Sequence, residues 1–537
     1  MTQDRKSFLK LIGISSLSLL ISYLGFKKYQ KTKTIQVPGK ISGGNFNAGH
    51  RLLKEINQSP TKEVSIDTVI VGGGIAGLSA GWFFNKKNYS DFILFELDSD
   101  VGGNSKSGEN TISKYPFGAH YVPLPGTEAK YVREFFEDIG IITGYQNKLP
   151  VYNEYYLCAD PHERLYFQGN WQEGLIPVRG IQPEEKKQYN EFFSLIDMLK
   201  NKKGNDGKYA FVIPMEFSSR DPEFLKLDRI SMFEFMKSMG WNSTHLNWYV
   251  DYCCRDDFGT PMKEVSAWAG LHYFSSRASR AFNADPQTVL TWPEGNGFLV
   301  NKMKEILKTK IQTESLVYHI EVDNQKQYQI DIFNSKYNSF VRYKANHLIY
   351  AAPRFTAKHI IKDFNESLTL DSRRTPWMVA NITLKQKPRG NGVTLAWDNV
   401  SFYSRSLGYI VANHQDLTTH RNECVITYYL PLDEQDPQSA RKMAQERTYE
   451  EWLSIILPDL ENIHPGIIQD LLYIDLWIWG HGMVSPGINF LWSKNRRKLL
   501  QNFQGIEFAH SEMSGISIFE EAQYRGCEAA KKILRKV

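Results

Sequence analysis

At 537 residues the chain is too long for a single small core and has room for two or three domains. Its formal charge of +5 is concentrated at one end: residues 1–34 hold seven basic side chains and one acid, a net +6, which leaves −1 for the rest and excludes the basic stripe that a nucleic-acid-binding domain needs. Five cysteines, Cys158, Cys253, Cys254, Cys424 and Cys527, show neither a C-x-x-C pair nor zinc spacing, and an odd number cannot pair completely, so neither a disulfide framework nor a metal site is expected.

The chain opens with Asp4-Arg5-Lys6-Ser7-Phe8-Leu9-Lys10 and a 16-residue weakly apolar run from Leu11 to Phe26, followed at once by Lys27, Lys28, Lys31 and Lys33. This leader resembles a twin-arginine export signal with lysine in one arginine position, a route suited to a protein exported folded around a cofactor. No small-x-small cleavage site follows, and the run falls short of the ~20 residues of a full span. Export to the periplasm, an uncleaved membrane anchor formed by the N-terminal segment, and a polar-flanked helix with no targeting role all stay open. Residues 35–63 read as a polar linker, so the folded body is expected to begin near Glu63.

There the sequence becomes informative. Val69-Ile70-Val71 runs into Gly72-Gly73-Gly74-Ile75-Ala76-Gly77, and Glu96 closes a second apolar strand, Phe92 to Phe95, nineteen residues after Gly77. Strand, G-x-G-x-x-G turn, helix, strand and terminal acid make a dinucleotide-binding βαβ unit. Gly72 permits the tight turn, Gly74 lets the backbone approach a pyrophosphate, Gly77 lets the helix pack on the strand, and Glu96 can take ribose hydroxyls.

Further on, Val101-Gly102-Gly103-Asn104 and Pro116-Phe117-Gly118-Ala119-His120-Tyr121 follow, and the chain closes with Gly505-Ile506-Glu507-Phe508-Ala509-His510-Ser511-Glu512 and Phe519-Glu520-Glu521-Ala522. With these blocks the sequence resembles the flavin-containing amine oxidase and phytoene desaturase superfamily. The resemblance implies non-covalently bound FAD, because no cysteine stands between Cys424 and Cys527, where some oxidases of the superfamily attach the flavin. It carries Gly102, Gly103, Glu512 and Ala522 over as FAD contacts. A middle block, Trp292-Pro293-Glu294-Gly295-Asn296-Gly297-Phe298, then resembles the turn over the flavin, and Val317 the valine on the adenine side. Asn104, His510 and Glu521 depart from the family's Arg, Gly and Gly and put individual contacts in doubt. The implied fold is α/β: a Rossmann-like FAD-binding domain with a parallel sheet, from residues 64–125, 285–360 and 478–537, and an interleaved α+β substrate domain from 126–284 and 361–477, with a pocket between them.

Within the substrate segments, Phe192 to Leu199 reads as an amphipathic helix before an exposed loop at 201–208. Trp248 to Gly259 mixes aromatics, paired thiols and charges with no clean period. It is taken as a surface turn after a core helix, with a buried polar network of Arg255 and Asp256 or Asp257 as the alternative. His272 reads as a hydrogen-bonded core histidine before a substrate contact. The resemblance puts Lys385, at the end of the strand from Trp377, near the family's flavin-side lysine, with Lys387 close behind and a solvated strand-end lysine as the plain reading. The family's cage tyrosine falls on Ile518, which argues against a simple primary amine. Trp479 and His481, in Trp479-Gly480-His481-Gly482-Met483, are then candidates to face the flavin, the imidazole having a pKa suited to proton transfer.

The expected function is an FAD-dependent oxidoreductase that moves a hydride equivalent from a small organic substrate to flavin N5 and is reoxidised by oxygen, quinone or another acceptor. Two alternatives are a desaturase or isomerase of an apolar, polyprenoid-like substrate and a non-catalytic, membrane-tethered flavoprotein.

Overall fold

A computed structural model describes residues 37–537 apart from 55, 57, 278, 369–371 and 417–420. The leader at 1–34 lies outside the described residues. Among the described residues no helix is long and apolar enough to cross a membrane. Residues 40–537 form one compact unit, so the folded body begins well before Glu63. The stretch read as a linker contains a short helix, Phe46–His50, capped by the Asn45 side chain, and the Asn45 N–H donates to Asp98 Oδ1 at 2.7 Å.

In chain order the elements that matter are β1 (Lys62–Val71), α1 (Ile75–Lys86), β2 (Phe92–Phe95), α2 (Pro183–Asn201), α3 (Thr244–Phe258), α4 (Ala267–Ser275), β3 (Ile311–Gln312), β4 (Ser315–Val322), β5 (Tyr328–Asn334), β6 (Ser339–Tyr350), β7 (Arg374–Leu384), β8 (Cys424–Pro431), β9 (Leu471–Val484), β10 (Glu507–Phe508) and α5 (Phe519–Leu534).

Val69, Ile70 and Val71 are buried on both faces of β1, as a central parallel strand requires. The parallel order is β3-β2-β1-β6-β10, and β4 and β5 extend β6 as an antiparallel meander. Val71 pairs level with both Phe95 and Tyr350. All three strands therefore stop together, and the glycine turn emerges at the carboxyl edge, where open α/β sheets bind ligands.

The second sheet is antiparallel through β9-β7-β8 and continues through Tyr409–Val411, Asp398–Ser401, Glu163–Phe167 and Asn170–Glu173. Side chains alternate faces along a strand, and partners across a ladder share one. Trp377 stands opposite Trp479, and Val379 stands between Tyr429 and Trp477. One face therefore presents Trp377, Val379, Tyr429, Trp477 and Trp479 together.

The α2 helix spans the expected amphipathic stretch and opens on a capping box from Gln182 and Glu185. The stretch read as a surface turn is instead the last eleven residues of α3 and the Gly259 that ends it. Arg255 is 6 % exposed and bound to Asp433 by its Nε at 2.6 Å, so its charge is buried as the alternative has it, but paired with Asp433 and not with Asp256 or Asp257. Pairing a buried charge in this way offsets part of the desolvation cost that makes lone charges face water.

Candidate cofactor groove and active site

The glycine turn differs from residue to residue. Gly72 adopts φ of +104°, and a Cβ there would stand 2.8 Å from the Ala352 nitrogen, so no side chain is admitted. A Cβ on Gly77 would fall 1.9 Å from the Gly72 carbonyl oxygen, which is how closely α1 sits on the strand end. At Gly74 a Cβ would meet nothing within 4 Å. That space lies in front of the α1 N-terminus, which no side chain caps, so unpaired N–H groups and the positive end of the helix dipole face it.

Gly102 and Gly103 lie directly on this turn. The Gly102 N–H donates to the Gly73 carbonyl at 2.8 Å, and a Cβ on Gly103 would be 3.4 Å from the Gly74 Cα. Glu96 accepts from the Gly73 N–H at 2.8 Å and the Asp98 N–H at 2.9 Å, one on each oxygen, leaving each oxygen another lone pair for a ribose hydroxyl. Burial raises the Glu96 carboxyl above its ordinary range, against the pull of Lys106 and these two N–H groups. Val317 is buried in the same apolar cluster as Val71 and Phe95, and nearby Ser315 donates its N–H to the Glu96 carbonyl.

The closing segment reaches the same edge. β10 pairs with the end of β6, and the Ala509 N–H donates to the Tyr350 carbonyl at 2.9 Å. Glu512, 1 % exposed, accepts from the Arg354 N–H and from the Arg374 guanidinium at 2.6 Å. Burial alone would raise its carboxyl, but His510, Arg374 and these hydrogen bonds hold it below the usual range. Ala522 sits in the first turn of α5, which packs on α1. An open glycine cradle, an uncapped helix end and an acid at the end of β2 together fit the diphosphate and ribose of a dinucleotide.

Beyond the glycine pair lies a cavity of about 140 Å³. Its floor is the loop from Gly118 to Tyr121, and one wall is the aromatic face of β7, β8 and β9: Trp377, Tyr429 and Trp479. Trp479 Nε1 donates to the Phe117 carbonyl at 2.6 Å and Tyr429 Oη to the Gly118 carbonyl at 2.9 Å, so the wall holds the floor. His120 packs against Tyr429 with ring centroids 4.6 Å apart, and burial pushes its imidazole down to about 4, so it is neutral.

Another part of the lining is charged. Asp256 and Asp257 come from the end of α3, Glu520 from the start of α5, and Arg277 from just beyond α4. Arg277 is paired with Asp257. Asp256 forms no ion pair among the described residues. Burial, then the Asp257 charge, pushes its carboxyl up to about 7, and burial takes Glu520 to about 7 as well. Asn296 Oδ1 and Trp377 Nε1, both on the cavity lining, are buried without a hydrogen-bond partner among the described residues.

Of the three side chains expected near the reacting centre, only Trp479 lines the cavity. Lys385 is corrected: β7 ends at Leu384, and the exposed lysine passes beyond the sheet edge, where its Nζ donates to the Gln469 carbonyl at 3.4 Å. His481 is also outside the lining and packs against Phe355 in a tilted arrangement, with ring centroids 4.8 Å apart. Desolvation, then Arg441 and Arg374, push its imidazole down to about 4. His272 is the core histidine expected, bonded through Nε2 to the Val212 carbonyl at 2.9 Å. The sequence reading missed Trp377, Tyr429, His120, Asn296, Arg277 and Glu520. The period-2 pairing of β7 with β8 and β9 was the signal for the first two.

The comparisons agree with this architecture. The NAD(P)-binding Rossmann-like domain family matches residues 70–139. A probable flavin-containing monoamine oxidase A from Dictyostelium discoideum is 25 % identical over 226 residues, 41 % of this chain and 42 % of that protein, so the match spans less than half of the curated relative. Among solved structures, putrescine oxidase bound to putrescine superposes with a TM-score of 0.64 at 14 % identity, over 88 % of this chain and all of that one. Cyclohexylamine oxidase from Brevibacterium oxydans gives 0.60 at 14 % identity, over 88 % and 99 %. The chain has an α/β fold with a Rossmann-like layer, and that fold is the one found in putrescine oxidase and cyclohexylamine oxidase.

Proposed function

We propose that the chain is an FAD-dependent oxidoreductase that removes a hydride equivalent from the carbon beside the nitrogen of a small cationic amine and passes the electrons to oxygen, quinone or another acceptor. The observation that carries this reading is the cavity itself: an aromatic wall of Trp377, Tyr429 and Trp479 shares its lining with the unpaired carboxylate of Asp256, beside the glycine pair of the dinucleotide groove. Segments 64–125, 285–360 and 478–537 serve the cofactor in this reading, and 126–284 and 361–477 the substrate. The leader would export or anchor the protein.

FAD bound in the groove would supply the two-electron sink. The residues fitted to hold it are Gly72, Gly74, Gly77, Gly102 and Gly103 at the diphosphate, Glu96 at the ribose, and Glu512, Val317 and Ala522 on the flanking elements. None of the five cysteines lines the cavity, which supports non-covalent binding.

The chain's own groups then do three things. Asp256 attracts the ammonium ion and, with a pKa of about 7, takes its proton, leaving the neutral amine whose α C–H bond is the easier to oxidise. The rings of Trp377, Tyr429 and Trp479 hold the nitrogen end by cation–π attraction before that transfer and exclude water after it. The floor at Gly118 and Ala119, pinned by Trp479 and Tyr429, fixes how far the substrate approaches the flavin side. A long polyprenoid would desolvate Asp256 and Glu520, with Arg277, already paired with Asp257, as the nearby cation.

The test is the absorbance spectrum of the purified protein, followed by anaerobic mixing with a panel of alkyl and aryl amines and with lipid extracts. Flavin bleaching by amines supports the reading. A colourless protein that takes up no FAD overturns the cofactor, and bleaching by lipid extracts alone overturns the substrate class.

A further inference from the structure

His481, Arg374 and Arg441 converge from three elements outside the cavity, with Glu512 and Asp436 as the acids whose charge reaches them. Arg374 is paired with Glu512. Arg441 makes only a hydrogen bond to the Arg374 carbonyl at 3.3 Å and forms no ion pair among the described residues. Its side chain also lies against Gly480, where a Cβ would be 3.7 Å from the Arg441 Cδ. The Arg374 guanidinium lies over Phe355 at 4.8 Å from the ring centroid, and His481 packs against the same ring. Burial and the neighbouring guanidinium lower both the Arg441 and the His481 affinity for protons, against the smaller pull of Asp436 on Arg441 and of Glu512 on His481.

The position of this cluster follows from a closed circuit of contacts. The glycine turn touches Gly103, whose neighbour Asn104 donates its side-chain amide to the Gly482 carbonyl, next to His481. From His481 the circuit passes to Phe355 and along the chain through Arg354 and Pro353 to Ala352, which lies against Gly72. Glu512 bridges Arg354 and Arg374 inside it. The cluster therefore lies beside the segments, 103–104 and 352–355, that border the glycine turn.

We propose that Arg441, Arg374 and His481 form the second half of a diphosphate clamp: the glycine turn and the α1 N-terminus take one phosphate of a dinucleotide, and these three side chains take the other. This rests on the FAD reading above and reassigns His481 from the reacting centre to cofactor binding. Arg441 carries the free positive charge. Arg374 is shared between Glu512 and the phosphate, and the His481 imidazole donates a hydrogen bond to a phosphate oxygen.

The experiment uses the full chain freed of bound nucleotide by dialysis, as wild type, R441Q, R441K and H481Q. Each is titrated with FAD, ADP, adenosine and riboflavin, followed by flavin fluorescence quenching or calorimetry, with a thermal melt as a check of folding. R441Q is expected to weaken FAD and ADP alike, by about tenfold to a hundredfold, and to leave adenosine and riboflavin unchanged. R441K should recover part of the loss, and H481Q should show a smaller loss with the same ligand pattern. Equal FAD and ADP affinity in wild type and a folded R441Q overturns the clamp while leaving the FAD reading intact. Failure of the wild type to bind FAD at any concentration overturns both. A loss for adenosine and riboflavin equal to that for ADP overturns the clamp in favour of a general distortion of the groove.

Discussion

Gly526 in α5 lies against Ala76 in α1 so closely that a Cβ on Gly526 would stand 2.0 Å from the Ala76 carbonyl oxygen. The closing helix is thereby locked onto the helix that follows the glycine turn, and the two ends of the folded body share one core with Phe83, Phe519 and Cys527. Substituting Gly526 by Ala forces the helices apart. The expected cost is about 1–3 kcal/mol, read as a lower midpoint in urea, with weaker FAD retention because Glu512 moves with the closing segment. An unchanged midpoint would show that the helices are not held at this distance.

Asp256 sets the pH dependence of substrate binding. With the carboxyl at about 7, the ionised form that attracts a cation builds up as pH rises through neutrality, so the apparent affinity for a non-reacting quaternary ammonium ligand should improve from about pH 5 to about pH 8 and then level off. D256N should bind that ligand about tenfold to a hundredfold more weakly and show no such rise. A quaternary ligand isolates the carboxylate, because it carries no proton of its own to titrate.

The same shift acts on stability in the opposite direction. A carboxyl raised from near 4 when unfolded to about 7 when folded binds its proton more tightly in the native state, so the folded protein is favoured at low pH and loses that advantage as pH rises from about 4 through 7. Asp256 and Glu520 both contribute with this sign. The melting temperature of the ligand-free protein should therefore fall between about pH 5 and about pH 8, and less steeply in D256N. A carboxylate held by partners, such as Glu512, has the reverse sign.

Trp479 and Tyr429 act on one piece of backbone through two hydrogen bonds, to the carbonyls of Phe117 and Gly118. W479F and Y429F are each expected to lower kcat more than they raise KM, by about tenfold, because a loosened floor misplaces the substrate. The double variant should lose less than the product of the two, since either change alone already frees the loop. Full multiplicativity would mean that the two side chains act independently, as simple wall residues.

The dinucleotide layer was legible because its signals are local. A strand, three glycines at fixed spacing and an acid at a strand end lie within a few dozen residues, and each glycine has a short-range steric reason. The closing segment was legible only by resemblance, and its contact with α1 depends on Gly526, which has no pattern of its own. The cavity was mostly hidden. Tyr429, Trp377 and Trp479 lie on three strands far apart in sequence and share a face only once the register of β7 with β8 and β9 is known. Lys385 was misassigned for a related reason: one residue beyond the end of β7, its side chain leaves the sheet for water. The α3 end was misread because Arg255 and Asp257 find their partners in Asp433 and Arg277, on other elements, so their charges signalled surface where the fold buries them.

Gly74 and Gly77 give the sharpest separation of fold from cofactor. They stand three residues apart in one motif, yet a methyl on Gly77 meets the Gly72 carbonyl oxygen at 1.9 Å, whereas on Gly74 it meets no protein atom within 4 Å. G77A should therefore lower the melting temperature whether or not FAD is present, by an amount equivalent to about 1–3 kcal/mol. G74A should melt with the wild type when both are free of nucleotide, because nothing in the protein is displaced. With FAD added, only the wild type should gain its full thermal shift, since the new methyl stands where the diphosphate must approach the backbone. Equal FAD-dependent shifts in G74A and wild type would place the diphosphate elsewhere in the groove, and a large loss in nucleotide-free G74A would mean that the space in front of the helix is not open.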